Sequence, residues 1–272
     1  MSFKPPFFHK FSLFGKYFVF FPISGSLIEV DENLFLNINE NFSDPFFVEE
    51  KRIWEQHNLE FNTPQNLKSL CLLISQKCNF KCDYCFVNEG KYNEKESLMD
   101  KETSFKAVDF LIENSKTKHV EIDFFGGEPL LNWDVVKETI EYGYKKAKEN
   151  GIRIRFSLTT NGALLNDDRL NFLIENSVSL IISLDGPKEI NDIHRKLDNE
   201  RGTFDLIFEK IKKIKNYEGY YIRGTFTNKT KEIFKTALFF YENGFKNISL
   251  EPVILEEENP LCLKEKDIED IK

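Results

Sequence analysis

The sequence predicts an α/β protein built on a parallel sheet, preceded by a small β-rich module. Two observations carry this. From Leu67 onward, six short apolar runs alternate with segments of helical periodicity, the pattern of successive βαβ units. Ahead of them lies an aromatic-rich stretch broken by Pro22 and Gly25, which has the residue types and punctuation of a hairpin.

Taken in order, the stretch HKFSLFGKYFVFFPISGSLIEVDE (9–32) opens the chain's organised part. Its aromatics and valine suit strands, and Pro22 with Gly25 gives the turn before a second strand, SLIEVD. Lys10 and Lys16 interrupt the apolar run, unlike the core of a secretion signal. In 44–58, Phe47, Val48 and Trp54 stand among charges, so a short helix is expected there. The polar, proline-containing 59–66 marks a boundary. The expected organisation is a module at 1–62, a larger domain at 63–255 and a connector at 256–272.

Within the larger domain, strands are expected at 67–75, 119–125, 152–160, 178–184, 220–227 and 246–253. Between them, Val136, Ile140, Tyr144 and Ala147 fall on one helix face, as do Phe204, Ile207, Phe208, Ile211 and Ile214. The sheet is either an open doubly wound one or part of a barrel, since periodicity fits both.

Bulk properties narrow the function. A length of 272 residues, with 41% hydrophobic and 30% charged, suits a soluble globular protein with a sizeable core. A formal charge of −8 argues against a broad nucleic-acid-binding face. No apolar run approaches the ~18–20 residues of a membrane span. Five cysteines, an odd number and mostly clustered, do not make a secreted disulfide framework. The expected compartment is the reducing cytoplasm.

The loops after the strands carry the chemistry. The first strand leads into QKCNFKCDYC, the second into GGEP (126–129), the third into TNG (160–162), and the fourth ends in SLDGP (183–187). In parallel α/β folds such loops open on one face, at the carboxyl ends of the strands, so they are expected to form one shared site. Cys78, Cys82 and Cys85 are spaced three and then two residues apart. Soft thiolates select zinc, copper(I) or iron–sulfur clusters. Three thiols around a cubane cluster leave one iron open, as a catalytic metal site requires. A zinc-stabilised binding module would need a fourth ligand from Cys71, Cys262 or His119, and an electron-transfer protein a fourth cysteine, Cys71 or Cys262.

The C-x3-C-x2-C loop after the first strand, Tyr84 just before the last cysteine and GGEP after the second strand together resemble the radical S-adenosylmethionine (radical SAM) superfamily, over about Leu67 to Val253. The resemblance implies a partial (β/α)6 TIM-like barrel. It implies a 4Fe–4S cluster on the three cysteines whose open iron is chelated by S-adenosylmethionine, cleaved reductively to methionine and a 5′-deoxyadenosyl radical. It also implies an electron donor such as flavodoxin or ferredoxin. By the same resemblance, Gly126, Gly127 and Glu128 hold the amino group of the cofactor, and Tyr84 borders the cluster. Ser183 can hydrogen-bond a ribose or carboxylate, or cap its strand. Arg195 can pair bidentately with the cofactor carboxylate or be a solvated helix arginine. Thr160 and Asn161 are candidates to line the ribose or are an ordinary turn. Leu250 packs on the adenine or in the core. Asp185 is equally a turn residue before Gly186, His194 and Glu251 are candidate proton handlers with no supporting motif, and no catalytic residue is assigned.

TTNGALL, SLDGP and HRKLDNERGTF resemble the peptide and protein maturases of the SPASM type, which include anaerobic sulfatase maturases. Residues 9–32 resemble the start of enzymes that install thioether crosslinks in six-cysteine ribosomal peptides. That likeness implies a precursor peptide as partner, its leader added as a strand to the hairpin edge. Alternatively, the hairpin covers the barrel. Those maturases carry auxiliary clusters beyond the barrel, whereas Cys262 is the only cysteine here after Cys85. The connector at 256–272 thus reads as belonging to a fragment or to a short form, which leaves thioether formation by this chain open.

Overall fold

The structure, a computed structural model, describes residues 7–39, 41–56, 66–87, 95–269 and 271. The chain divides into two compact units, Met1–Gln65 and Asn66–Lys272. The boundary expected at 62/63 lies outside the described residues.

The first unit is an antiparallel sheet of β1 (His9–Leu13), β2 (Lys16–Phe20) and β3 (Leu27–Val30), in that order, with α1 (Glu32–Asn37) and α2 (Pro45–Gln56). The single long strand expected before Pro22 is in fact two. Phe14 and Gly15 both adopt positive φ (52° and 71°), which makes a two-residue hairpin turn of the kind that matches strand twist. Phe-Gly lacks the Asn-Gly signature of such turns, so the sequence concealed it. Alternation sends Val19 inward with Phe7, Phe21, Ile38 and Phe47. Phe21 meets Phe47 edge-on at 5.1 Å. Asp31 caps α1 by accepting from the Leu34 N–H.

The second unit holds six parallel strands: β4 (Ser69–Ser75), then, after the two-residue β5 (Lys81–Cys82), β6 (His119–Gly126), β7 (Arg153–Thr160) and β8 (Ser179–Ser183). After the two-residue β9 (Arg195–Lys196) come β10 (Tyr220–Phe226) and β11 (Ile248–Pro252). All six expected strands are present. Their order across the sheet is β11-β10-β8-β7-β6-β4. It is strictly sequential, so the chain never reverses direction across the sheet as a doubly wound fold must. Its first and last strands do not pair with each other, giving a partial (β/α)6 barrel.

The crossovers carry α3 (Lys101–Glu113), α4 (Trp133–Glu149), α5 (Asp167–Glu175), α6 (Lys188–His194), α7 (Phe204–Ile211) and α8 (Ile233–Glu242), with a last turn, α9 (Glu265–Ile268). Val136, Ile140 and Ala147 of α4 and Phe204, Ile207, Phe208 and Ile211 of α7 are buried, while Ile214 is buried in the 3-10 turn just after α7. They pack on one face of the sheet against Leu72, Ile74, Ile122, Phe124, Phe156, Leu158, Leu180, Ile182 and Ile222. The alternate residues face the other way: Cys71, Asp123, Ser157, Tyr221, Arg223 and Glu251. No helix among the described residues is long and apolar enough to cross a membrane.

Candidate active site

At the carboxyl ends of the strands lies a cavity of about 430 Å3. Its wall includes Cys78, Cys82, Cys85 and Tyr84 from the loop after β4, Gly126 and Gly127 after β6, and Thr160 and Asn161 after β7. Ser183 closes β8, and Arg195 stands in β9. Ten of the twelve residues expected at the site thus share one cavity, as parallel strands dictate when their loops open together.

The loop with the cysteines is fixed at three points. At its root, Gly127 N–H donates to the Ser75 carbonyl at 2.8 Å and Glu128 N–H to that of Lys77 at 2.9 Å. At its middle, β5 pairs antiparallel with β9, placing Cys82 opposite Arg195, and Asp83 N–H donates to the His194 carbonyl at 3.0 Å. Cys78 Sγ accepts from Phe80 N–H at 3.4 Å and, weakly, from Asn161 Nδ2 at 3.8 Å. In the protein alone, burial pushes the Cys78 thiol up to about 12 and that of Cys82 up to about 11. These thiols ionise readily only beside a bound cation.

The structure places two of the expected residues elsewhere. Glu128 is completely buried and its carboxylate is fully engaged within the protein. It accepts from Leu130 N–H at 2.9 Å, Thr160 Oγ1 at 2.8 Å and Asn161 N–H at 2.7 Å, so it shapes the TNG turn rather than facing the cavity. Leu250 falls on the helix side of β11 and packs on the core, because strand alternation turns Glu251, not Leu250, towards the open face. Gly126 is needed for a different approach from the one expected. Its φ is 129°, and a Cβ there would strike the Ser75 carbonyl oxygen. The close neighbour within the protein is thus strand β4, while Gly126 also lines the cavity.

Cys71 also differs. The expected buried position is exposed, since β4 turns it to the open face, where its thiol donates to Asp123 Oδ2 at 3.6 Å. Partial desolvation of the sulfur by its neighbours, then the Asp123 charge, pushes this thiol up to about 11.

Arg195 heads a buried polar chain. Its NH1 donates to the Tyr84 hydroxyl at 2.9 Å, which donates to Asp185 Oδ2 at 2.5 Å. Asp185 Oδ1 accepts from Thr225 N–H at 3.0 Å. Burial acts against the Arg195 cation, but Tyr84, Cys82 and Asp185 outweigh it and hold the guanidinium firmly protonated. Burial also raises the Asp185 carboxyl, with Arg195 opposing. His194 is buried between Thr227 Oγ1, at 2.9 Å from Nε2, and Asp83, at 3.3 Å from Nδ1, and burial lowers its pKa.

Sequence reasoning missed part of the wall: Phe125, Thr159, Arg223 and Thr225, with Glu251 noticed but not assigned. Arg223 donates twice to Glu251 Oε2, from Nε at 2.9 Å and NH2 at 2.5 Å. Alternation along the two final strands could have found this pair, since both point to the open face.

The Radical SAM superfamily profile matches residues 72–226, more than half of the chain. This chain belongs to the radical SAM superfamily. The match spans the loop with the three cysteines, the GGEP turn and Arg195. Among curated relatives, this radical SAM protein is 27% identical over 255 residues to the radical SAM cyclopropyl synthase TigE of Paramaledivibacter caminithermalis, covering 86% of the chain and 52% of the relative. It is 33% identical to the cysteine-type anaerobic sulfatase-maturating enzyme of Clostridium novyi, covering 75% of the chain and 58% of the relative. The chain thus spans about half the length of the curated relatives it matches. Among solved structures, native anSMEcpe with bound AdoMet and Kp18Cys peptide superposes with a TM-score of 0.67 at 28% identity, over 74% of this chain and 57% of that one.

The residues fit the cofactors of that superfamily. Three soft thiols face one cavity. This donor set suits a cluster larger than one ion. Arg195 Nε is buried and has no hydrogen-bond partner among the described residues, a donor whose burial is costly until an acceptor meets it.

Proposed function

We propose that this chain binds a 4Fe–4S cluster and S-adenosylmethionine and forms the radical-generating core of an enzyme that modifies a peptide or protein. The observation that carries the reading is the meeting of the three thiols and the cationic, under-satisfied Arg195 in one cavity. Cys78, Cys82 and Cys85 would hold the cluster, and Arg195 would meet the cofactor carboxylate. Thr160, Asn161 and Ser183 offer hydroxyl and amide groups to its ribose. With both groups bound, such a site supplies a 5′-deoxyadenosyl radical for hydrogen abstraction. The chain's own part is orientation and shielding: Phe80, Val87 and Phe125 give the cavity apolar walls that keep water from a reactive species.

A ribosomally made precursor peptide is the substrate class this reading favours. One of the curated relatives named above is by name a sulfatase-maturating enzyme, a solved relative holds a bound peptide, and the first unit supplies two sheet edges. Among the described residues, β1 and β3 each pair with β2 alone, which leaves strand edges there of the kind that capture extended peptides. Thioether crosslinking is one outcome such an enzyme could deliver.

The test is anaerobic reconstitution with iron and sulfide, reduction, and addition of S-adenosylmethionine. The wild type is expected to take up about four irons and release 5′-deoxyadenosine. Cys82→Ala is expected to lose the cluster absorbance and reduce the nucleoside to background. A well-formed cluster that yields no 5′-deoxyadenosine would sink the enzyme reading, and tight zinc binding in its place would sink the cofactor reading.

A further inference from the structure

The chain Arg195–Tyr84–Asp185 assigns work to Asp185 and to the Tyr84 hydroxyl, which the cofactor reading leaves without any. We propose that Tyr84 and Asp185 are positioning residues for Arg195, fixing its guanidinium so that Nε is left to receive the carboxylate of the methionine moiety. This rests on the reading of Arg195 given above and extends it to the groups behind it.

The geometry is directional. Asp185 is 4% exposed and anchored, since its Oδ1 accepts from the Thr225 N–H at 3.0 Å. Its Oδ2 takes the Tyr84 hydroxyl proton at 2.5 Å, which leaves the phenol oxygen as an acceptor for Arg195 NH1 at 2.9 Å. Asp185 Oδ1 also ion-pairs with Arg195 NH1 at 4.0 Å, too far for a hydrogen bond, so the hydrogen-bonded and directional part of the link runs through the tyrosine oxygen. The guanidinium carbon also lies 5.9 Å from the centre of the Phe80 ring, so a second element restrains it. A planar fork restrained at one end and by a ring has little freedom left. Its unpaired Nε then marks where an anion completes the set.

Tyr84 is thereby given a task for its hydroxyl, not only for its ring. A phenylalanine would keep the ring and its edge contact with His194 at 5.6 Å. It would cut the chain in the middle, freeing the guanidinium and leaving Asp185 Oδ2 short of a donor.

The experiment measures equilibrium binding of two ligands to the reconstituted protein: S-adenosylmethionine, and 5′-methylthioadenosine, which lacks the amino-acid carboxylate. Wild type, Tyr84→Phe, Asp185→Asn and Arg195→Lys are compared, each checked for iron and sulfide content. Tyr84→Phe and Asp185→Asn are expected to weaken S-adenosylmethionine about tenfold, the worth of a charge-assisted hydrogen bond, and to leave 5′-methylthioadenosine within about twofold. In the Arg195→Lys background, adding Tyr84→Phe is expected to cost nothing further, because the group it positions is gone. Unchanged S-adenosylmethionine affinity in both single variants would overturn the proposal. So would equal weakening of both ligands, which marks a disturbed cavity instead of a misdirected arginine. A wild type with an intact cluster that binds no S-adenosylmethionine would overturn the cofactor reading itself, and this role with it.

Discussion

The two faces of the six-stranded sheet are made from the same strands and are opposite in kind. On the helix side, Ile122, Phe124, Phe156, Leu158 and Ile182 are completely buried, with Phe124 and Phe156 stacked at 5.7 Å. On the other side, Asp123 accepts from Ser157 Oγ at 2.8 Å and from the exposed Cys71, while Arg223 pairs with Glu251. A closed barrel of this type fills its interior with branched apolar side chains. Here that face is polar and open, so the sheet draws its stability from one side and leaves the other for chemistry.

Paired substitutions test this division most severely. Phe156→Ala, on the helix side, is expected to cost about 3–5 kcal/mol through lost burial and the cavity left behind. Asp123→Asn, on the open face of the neighbouring strand, is expected to stay within about 1 kcal/mol. Urea unfolding of both variants decides the matter; equal losses would mean that the open face also carries the fold.

Gly126→Ala sharpens the comparison where the two faces meet, at the end of β6. The positive φ and the collision with the Ser75 carbonyl predict a loss of about 1–3 kcal/mol, together with a displaced cysteine loop. Calorimetry would give the first and the iron content after reconstitution the second. A variant that is destabilised but loads iron normally would separate the turn from the site.

The smallest effect belongs to Glu251. Its hydrogen bonds from Arg223 hold the carboxyl below its ordinary value, with burial opposing. A lowered folded-state pKa gives stability that is present above the unfolded value and lost as pH falls through the folded one. The pair is solvent-exposed enough for screening to shrink the gain. Arg223→Gln should therefore flatten the loss of stability between neutral pH and the acid side of pH 4.5. Melting temperatures across that range would show it, and an unaltered slope would remove the pair from the account.

Much of the sheet was legible because parallel strands are apolar runs whose length and spacing survive in the sequence. The run at 152–160, for example, became Arg153–Thr160. The barrel itself was not, since strand order is a tertiary fact that periodicity does not encode. The cysteines, glycines and Arg195 stood out because few residue types do what they do. Glu128 misled for the same reason: a carboxylate beside two glycines suggests a ligand, and only the fold shows it occupied by Thr160 and Asn161. The two-residue strands β5 and β9, like the turn at Phe14 and Gly15, are too short to leave a pattern.

The pairing of Cys82 with Arg195 in that small ladder has a thermodynamic consequence. On the proposed reading, the segment that would donate a cluster ligand and the segment that would carry the arginine for the cofactor carboxylate share their backbone order, so loosening of one is felt by the other. By reciprocity, whatever tightens one side favours occupancy of the other to the same degree. Under the proposed roles, loading of iron and retention of the nucleoside would rise and fall together, and a protein stripped of its metal would lose grip on the second ligand as well.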